Sequence, residues 1–217
     1  MPYRTTPLVA DSFYHVYNRG VEKRIIFLDE RDYQRFLQTL YYYQFTGPKP
    51  AFSARDKFQI KDFSTNPKIV EIICYCLMPN HFHLLIKQLK DNGISEFIGK
   101  VINSYTKYFN TKHKRVGPLL QGTFKTVLVD DNFQFMHLSR YIHLNPYVDK
   151  LVENLEVYEY SSYPQFIGLT TNLLSVPQAI LSLFKDGNDY KEFVVGHADY
   201  ARELAHIKHI LIENFEE

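Results

Sequence analysis

Two short segments carry side chains able to do chemistry. The first is Met78-Pro79-Asn80-His81-Phe82-His83-Leu84-Leu85-Ile86. On a strand, His81 and His83 share one face, and Phe82, Leu84 and Ile86 share the other. Two imidazoles on an otherwise apolar strand need polar partners, because burying them unpaired is costly. A shared divalent ion would serve both, and so would hydrogen bonds inside a core; the spacing alone does not choose. The second segment is Ser139-Arg140-Tyr141-Ile142-His143-Leu144-Asn145-Pro146. On a helix Tyr141 and Asn145, at i and i+4, project side by side. The Asn145 amide oxygen is a hard ligand suited to Mg²⁺ or Mn²⁺. Together the segments describe a metal site of His81, His83 and Asn145 with a tyrosine beside it.

The elements that must position these residues follow an α+β pattern. Phe13 to Tyr17 reads as a strand ended by Asn18-Arg19-Gly20, and Asp29 to about Phe45 as a helix. Residues 46–68 read mainly as a loop. Lys68 to Leu77 and His81 to Gln88 form a hairpin about the turn Met78-Pro79-Asn80. Ile94 to about Lys112 is a helix, Lys112 to Gly117 a basic turn, and Thr123 to Val129 a fourth strand. Asp130-Asp131-Asn132 offers an N-cap for a helix from about Phe133 to Leu144, which Asn145-Pro146 should stop. The first six elements are a ferredoxin-like βαββαβ antiparallel sheet, followed by the helix that carries the tyrosine. Pro177 to Phe184, Asp189 to Val195 and Ala198 to Phe215 read as short helices. The expected division is an α+β domain over 1–168 and an acidic helical C-terminal extension over 169–217.

The 217 residues are 45% hydrophobic, enough for one sizeable core with an appendage. No apolar run is long enough to span a membrane, and the N-terminus lacks a secretory pattern. Cys74 and Cys76 lie on one face of a strand, too strained to bridge. They read as buried thiols of a cytoplasmic protein. The formal net charge of +1 argues against a generic polycation. That figure hides an asymmetry, since residues 186–217 carry −5 and residues 1–185 carry +6. From Lys100 to Lys125 there are six cations and no acid. Lys107, Lys112, Lys114, Arg115 and Lys125 are therefore candidate phosphate contacts. Tyr105, Tyr108 and Phe109 interleave with them and suit either base stacking or a core-facing stripe. If a tyrosine acts as nucleophile, Tyr141 is the first candidate and Tyr105 the runner-up, because Phe109 rather than an amide stands one turn after Tyr105. His15 is a strand histidine that could lie beside the metal face, whereas His143 should face away from Tyr141.

Four stretches, Tyr14-His15-Val16-Tyr17-Asn18-Arg19-Gly20, Met78 to Leu85, Gly117 to Lys125 and Arg140 to Pro146, resemble in order and spacing the single-tyrosine transposases of the HUH superfamily. More specifically, they resemble the REP-associated tyrosine transposases. The likeness covers about residues 12–168, with Thr123 standing where relatives often have Arg and Tyr147 where Val is usual. The resemblance implies a ferredoxin-like nuclease that cleaves single-stranded DNA, with His81 and His83 as metal ligands, Tyr141 as nucleophile and Asn145 completing the metal site. It implies a divalent cofactor, Mg²⁺ or Mn²⁺, and a single-stranded or hairpin DNA partner for a monomer or homodimer. Attack by a tyrosine would give a 5′-phosphotyrosine and a free 3′-OH, and the bond energy kept in that link would let the strand be rejoined without ATP. Two other readings of the residues stand beside this one: a metal-dependent phosphodiesterase without a covalent step, and a catalytically inactive nucleic-acid-binding relative.

Overall fold

The computed structural model describes residues 7–47 and 66–203, with positions 52 and 205. Most of the expected 46–68 loop, and the end of the expected 198–215 helix, lie outside the described residues. The order is β1 (Phe13–Arg19), α1 (Glu30–Tyr43), β2 (Val70–Met78), β3 (His81–Gln88), α2 (Gly93–Lys112), β4 (Lys125–Val129) and α3 (Asn132–Val148). The four strands form one sheet in the order β2-β3-β1-β4, with every pairing antiparallel. This is the ferredoxin-like α+β arrangement that the pattern predicts.

Strand parity divides the sheet into two faces. Tyr14 and Val16 of β1 and Phe82, Leu84 and Ile86 of β3 enter a core with Phe36 and Leu40 of α1 and Phe97, Val101 and Tyr105 of α2. On the other face Cys74, Cys76 and Leu85 meet Phe135 and Ile142 of α3. The short helices α4 (Tyr163–Phe166), α5 (Gln178–Leu181) and α6 (Gly187–Val195) follow. Their Tyr163, Phe166, Ile180, Tyr190 and Val194 fill the same second core, so residues on both sides of position 168 share one packing unit. The outer edge of β2 is covered by backbone bonds, Leu77 N to Tyr160 O at 2.9 Å and Val176 N to Ile72 O at 2.8 Å. Among the described residues no helix is long and apolar enough to cross a membrane.

Two boundaries differ from expectation in ways that shape the site. β1 runs to Arg19 rather than stopping at Tyr17, because its pairing with β3 continues as far as Arg19 opposite His81. Its end is then held by Gly20, where a Cβ would lie 2.2 Å from the Arg24 carbonyl oxygen. The second difference is α3, which does not stop at Asn145-Pro146 but continues through Pro146 to Val148. Proline removes the N–H that Ile142 O would accept. The Asn145 amide supplies the missing donor, with Nδ2 donating to Tyr141 O at 2.7 Å and to Ile142 O at 3.4 Å.

Candidate active site

The β2–β3 turn sets the position of the histidines. Pro79 and Asn80 are tied to the segment after β1 by Gly20 N to Asn80 O at 2.8 Å and Ile26 N to Pro79 O at 2.8 Å. β3 leaves this turn with His81 and His83 on the face that α3 crosses. Opposite them in register stand Arg19 and Tyr17 of β1. His83 lies edge-on to Tyr141, ring centroids 5.4 Å apart, and perpendicular to His81 at 5.0 Å. Asn145 is near enough to the His81 ring to raise its pKa slightly, and with Tyr141 it lines a second, adjoining cavity on α3. Tyr17, Arg19, His81, His83, Gln121, Lys125 and Tyr141 line an open cavity of about 280 Å³. His81, His83, Tyr141 and Asn145 are thus brought together from two segments about 60 residues apart.

The donor atoms suit a small divalent ion. His81 Nδ1 lies 2.5 Å from Asn80 Oδ1 and His83 Nδ1 lies 2.9 Å from His15 Nε2, which leaves the Nε2 atom of each ligand candidate uncommitted by these bonds. Asn145 spends its Nδ2 on helix carbonyls and keeps Oδ1 as an acceptor. Burial, reinforced by Arg19, pushes His81 down to about 4, against a smaller upward pull from Asn145. Burial, with His81, His15 and Arg19 nearby, holds His83 well below the ordinary histidine range. Both rings are therefore neutral at pH 7, the form that binds a cation. Among the described residues no group of three or more His, Cys, Asp and Glu side chains stands ready to hold a metal; the set here is two histidines and an amide.

Tyr141 is 52% exposed and lines the open cavity. Burial of the rest of the ring, together with Asp149 and Tyr17, raises its pKa, and the Arg19 guanidinium opposes the rise. Tyr105 is fully buried in the other core and donates its hydroxyl to Ile26 O, so it cannot reach substrate there. His143 is buried away from the cavity, bonded to Tyr190 Oη at 2.7 Å and Ser162 Oγ at 2.8 Å.

The candidate DNA contacts do not converge. Lys125 lines the cavity with its ammonium 6.0 Å from the Tyr17 ring. Lys107 and Lys112 line a groove of about 700 Å³ between α1 and α2, on the opposite layer. Lys112 is held there by Asp29 at 2.6 Å and by the fully buried Asp32 at 2.8 Å. Lys114 sits in the turn after α2 with φ 52°, and Arg115 donates to Asn110 Oδ1 at 2.8 Å. Two cavity residues, Arg19 and Gln121, have no functional role legible in the sequence. What brings them to the cavity is the extended β1 and the loop bonded to it, Gln121 N to Arg19 O at 2.8 Å.

The chain, a ferredoxin-like sheet crossed by a tyrosine-bearing helix over a His-x-His strand, is similar to transposases over part of its sequence and in its fold. Residues 56–145 match the family model described as IS200-like transposase, a span that holds His81, His83, Tyr141 and Asn145. The fold is similar to a solved structure of a REP-associated tyrosine transposase bound to a REP hairpin, with a TM-score of 0.53 and 14% identity over 81% of this chain and 97% of that one. No curated protein matches the chain. The resemblance to the IS200-like transposases rests on the family match, and the REP-associated transposase shares the fold.

Proposed function

We propose that this protein is a metal-dependent, single-strand-specific DNA endonuclease and strand transferase that works through a 5′-phosphotyrosine on Tyr141. The observation that carries the reading is the half-exposed Tyr141 standing edge-on to His83, beside Asn145, at a cavity that also holds Arg19 and Lys125. The substrate is single-stranded DNA flanking a hairpin, a class supported by the REP hairpin bound to the similar transposase of known structure. The stacked bases of a duplex would have to open before a scissile phosphate could enter a cavity on a sheet face beneath a helix. The two buried free thiols, Cys74 and Cys76, accord with action in the cytoplasm.

His81, His83 and Asn145 would hold the cation, Mg²⁺ or Mn²⁺. When bound, that ion neutralises charge on the non-bridging phosphate oxygens and orients the phosphate. Arg19 and Lys125 add fixed positive charge on the β1 and β4 side of the cavity. Tyr141 Oη attacks phosphorus, an O–P bond forms, and the bond from phosphorus to O3′ breaks. The phenolic proton leaves Oη and the departing O3′ gains one, so the step is balanced. Rejoining reverses it, with a 3′-OH attacking the phosphotyrosine. Arg19 favours the phenolate that this chemistry needs, because the free phenol, near pKa 10, is a weak nucleophile.

The test is a labelled hairpin oligonucleotide with a single-stranded flank, incubated with Mn²⁺ and resolved under denaturing conditions. The native chain should give a protein–DNA adduct, and Tyr141→Phe should give none while still retarding the hairpin on a native gel. An adduct formed by Tyr141→Phe would remove Tyr141 as the nucleophile.

A further inference from the structure

His15 is an imidazole in contact with a candidate ligand that the proposed reaction leaves without a role. Its Nε2 lies 2.9 Å from His83 Nδ1. Its ring is stacked against Tyr17 at 4.8 Å and faces the edge of Tyr141 at 6.2 Å. β1 is a central strand, paired with β3 on one side and β4 on the other, so His15 cannot slide relative to His83.

A neutral imidazole has a single N–H, so the hydrogen bond between the two rings has two possible polarities. If His15 Nε2 donates, His83 Nδ1 is the acceptor, the His83 proton sits on Nε2, and no lone pair remains for a cation. If His83 Nδ1 donates, His83 Nε2 carries a lone pair toward the cavity and His15 holds its own proton on Nδ1. Only the second arrangement can bind an ion. We infer that His15 is a positioning residue, which accepts the His83 Nδ1 proton and thereby sets the tautomer and orientation in which His83 binds the divalent cation. This rests on the reading of His83 as a ligand.

The partner of a metal-bound histidine is commonly a carboxylate or a carbonyl. A neutral imidazole in that place orients His83 without adding negative charge to the site. The positive charge of the ion is then spent on the phosphate rather than on a buried anion.

The inference is tested on DNA-free protein by titration with Mn²⁺, following the free ion by electron paramagnetic resonance. The variants are His15→Phe, which keeps a flat ring but no acceptor, and His15→Gln, which restores an acceptor carbonyl. His15→Phe should weaken Mn²⁺ binding by about 10- to 100-fold, and His15→Gln should recover most of the loss. Mn²⁺ binding by His15→Phe at native strength overturns the inference. If the native chain itself binds no Mn²⁺ and His81→Ala changes nothing, the reading of the site as a metal centre fails instead. A second measurement needs no variant: ¹⁵N spectra of the Mg²⁺-loaded native chain should show the shared proton on His83 Nδ1, coupled across the hydrogen bond to His15 Nε2. A proton found on His15 Nε2 overturns the assignment.

Discussion

Burial of His143 makes a quantitative claim about acid stability. Its ring is fully buried on the far side of α3 from the cavity, with both nitrogens bonded, to Tyr190 Oη at 2.7 Å and Ser162 Oγ at 2.8 Å. Burial pushes its pKa from 6.5 down to about 3. The folded chain therefore prefers the neutral ring, while the unfolded chain takes up a proton near pH 6.5. The stability this group contributes is present in full above pH 6.5 and is lost as the pH falls from there toward 3. At pH 4.5 the unfolded chain carries the proton and the folded chain does not, over about two pH units at 1.36 kcal/mol each, or about 2.7 kcal/mol. His143→Gln keeps a polar side chain and cannot titrate. Urea unfolding at pH 7.5 and pH 4.5, followed by circular dichroism with a chelator present, measures the effect. The native chain should lose about 2.7 kcal/mol more than His143→Gln between the two conditions. His15 and His81, both pushed down to about 4, add to the acid loss of each protein and cancel in the comparison. At pH 7.5 the variant should be less stable by about 1–3 kcal/mol, the cost of two disturbed buried hydrogen bonds. Equal acid losses in the two proteins would refute the reasoning.

Lysines of the basic stretch should separate by position. Lys125→Ala should weaken hairpin binding and lower the salt dependence of log K by about one counterion, whereas Lys112→Ala should leave both unchanged and destabilise the fold by about 1–3 kcal/mol, because the buried Asp32 loses a charged partner; DNA titrations at several salt concentrations and urea melts check both. Arg19→Ala should move the pH dependence of adduct formation to higher pH, since the cation that lowers the Tyr141 pKa is gone; an unshifted pH–rate profile would exclude Arg19 from phenolate stabilisation. Loss of the adduct in Tyr141→Phe and loss of Mn²⁺ affinity in His15→Phe complete the set.

Much of the fold and half of the site were legible in the sequence, because they depend on local periods. Strand parity alone places His81 and His83 on the face away from Phe82, Leu84 and Ile86. Helical spacing alone places Tyr141 beside Asn145. The alternation of strand and helix patterns leads to the βαββαβ order, and the Asp131 cap of α3 follows from residue type, with its side chain accepting from Gln134 N at 2.7 Å. Pairing across the chain is a different matter. Arg19 faces His81, and Tyr17 faces His83, only because β1 pairs with β3 in one register. His15 meets His83 by the same pairing, 68 positions apart. Lys112 is drawn from the basic stretch to acids 80 and 83 positions away, a contact that net charge along the sequence cannot show. Pro146 ends a helix by its own chemistry, yet α3 runs on because the Asn145 amide supplies the missing donor. Residue type and period thus decided which side chains could do the chemistry, and tertiary pairing decided which charges and hydrogen bonds surround them.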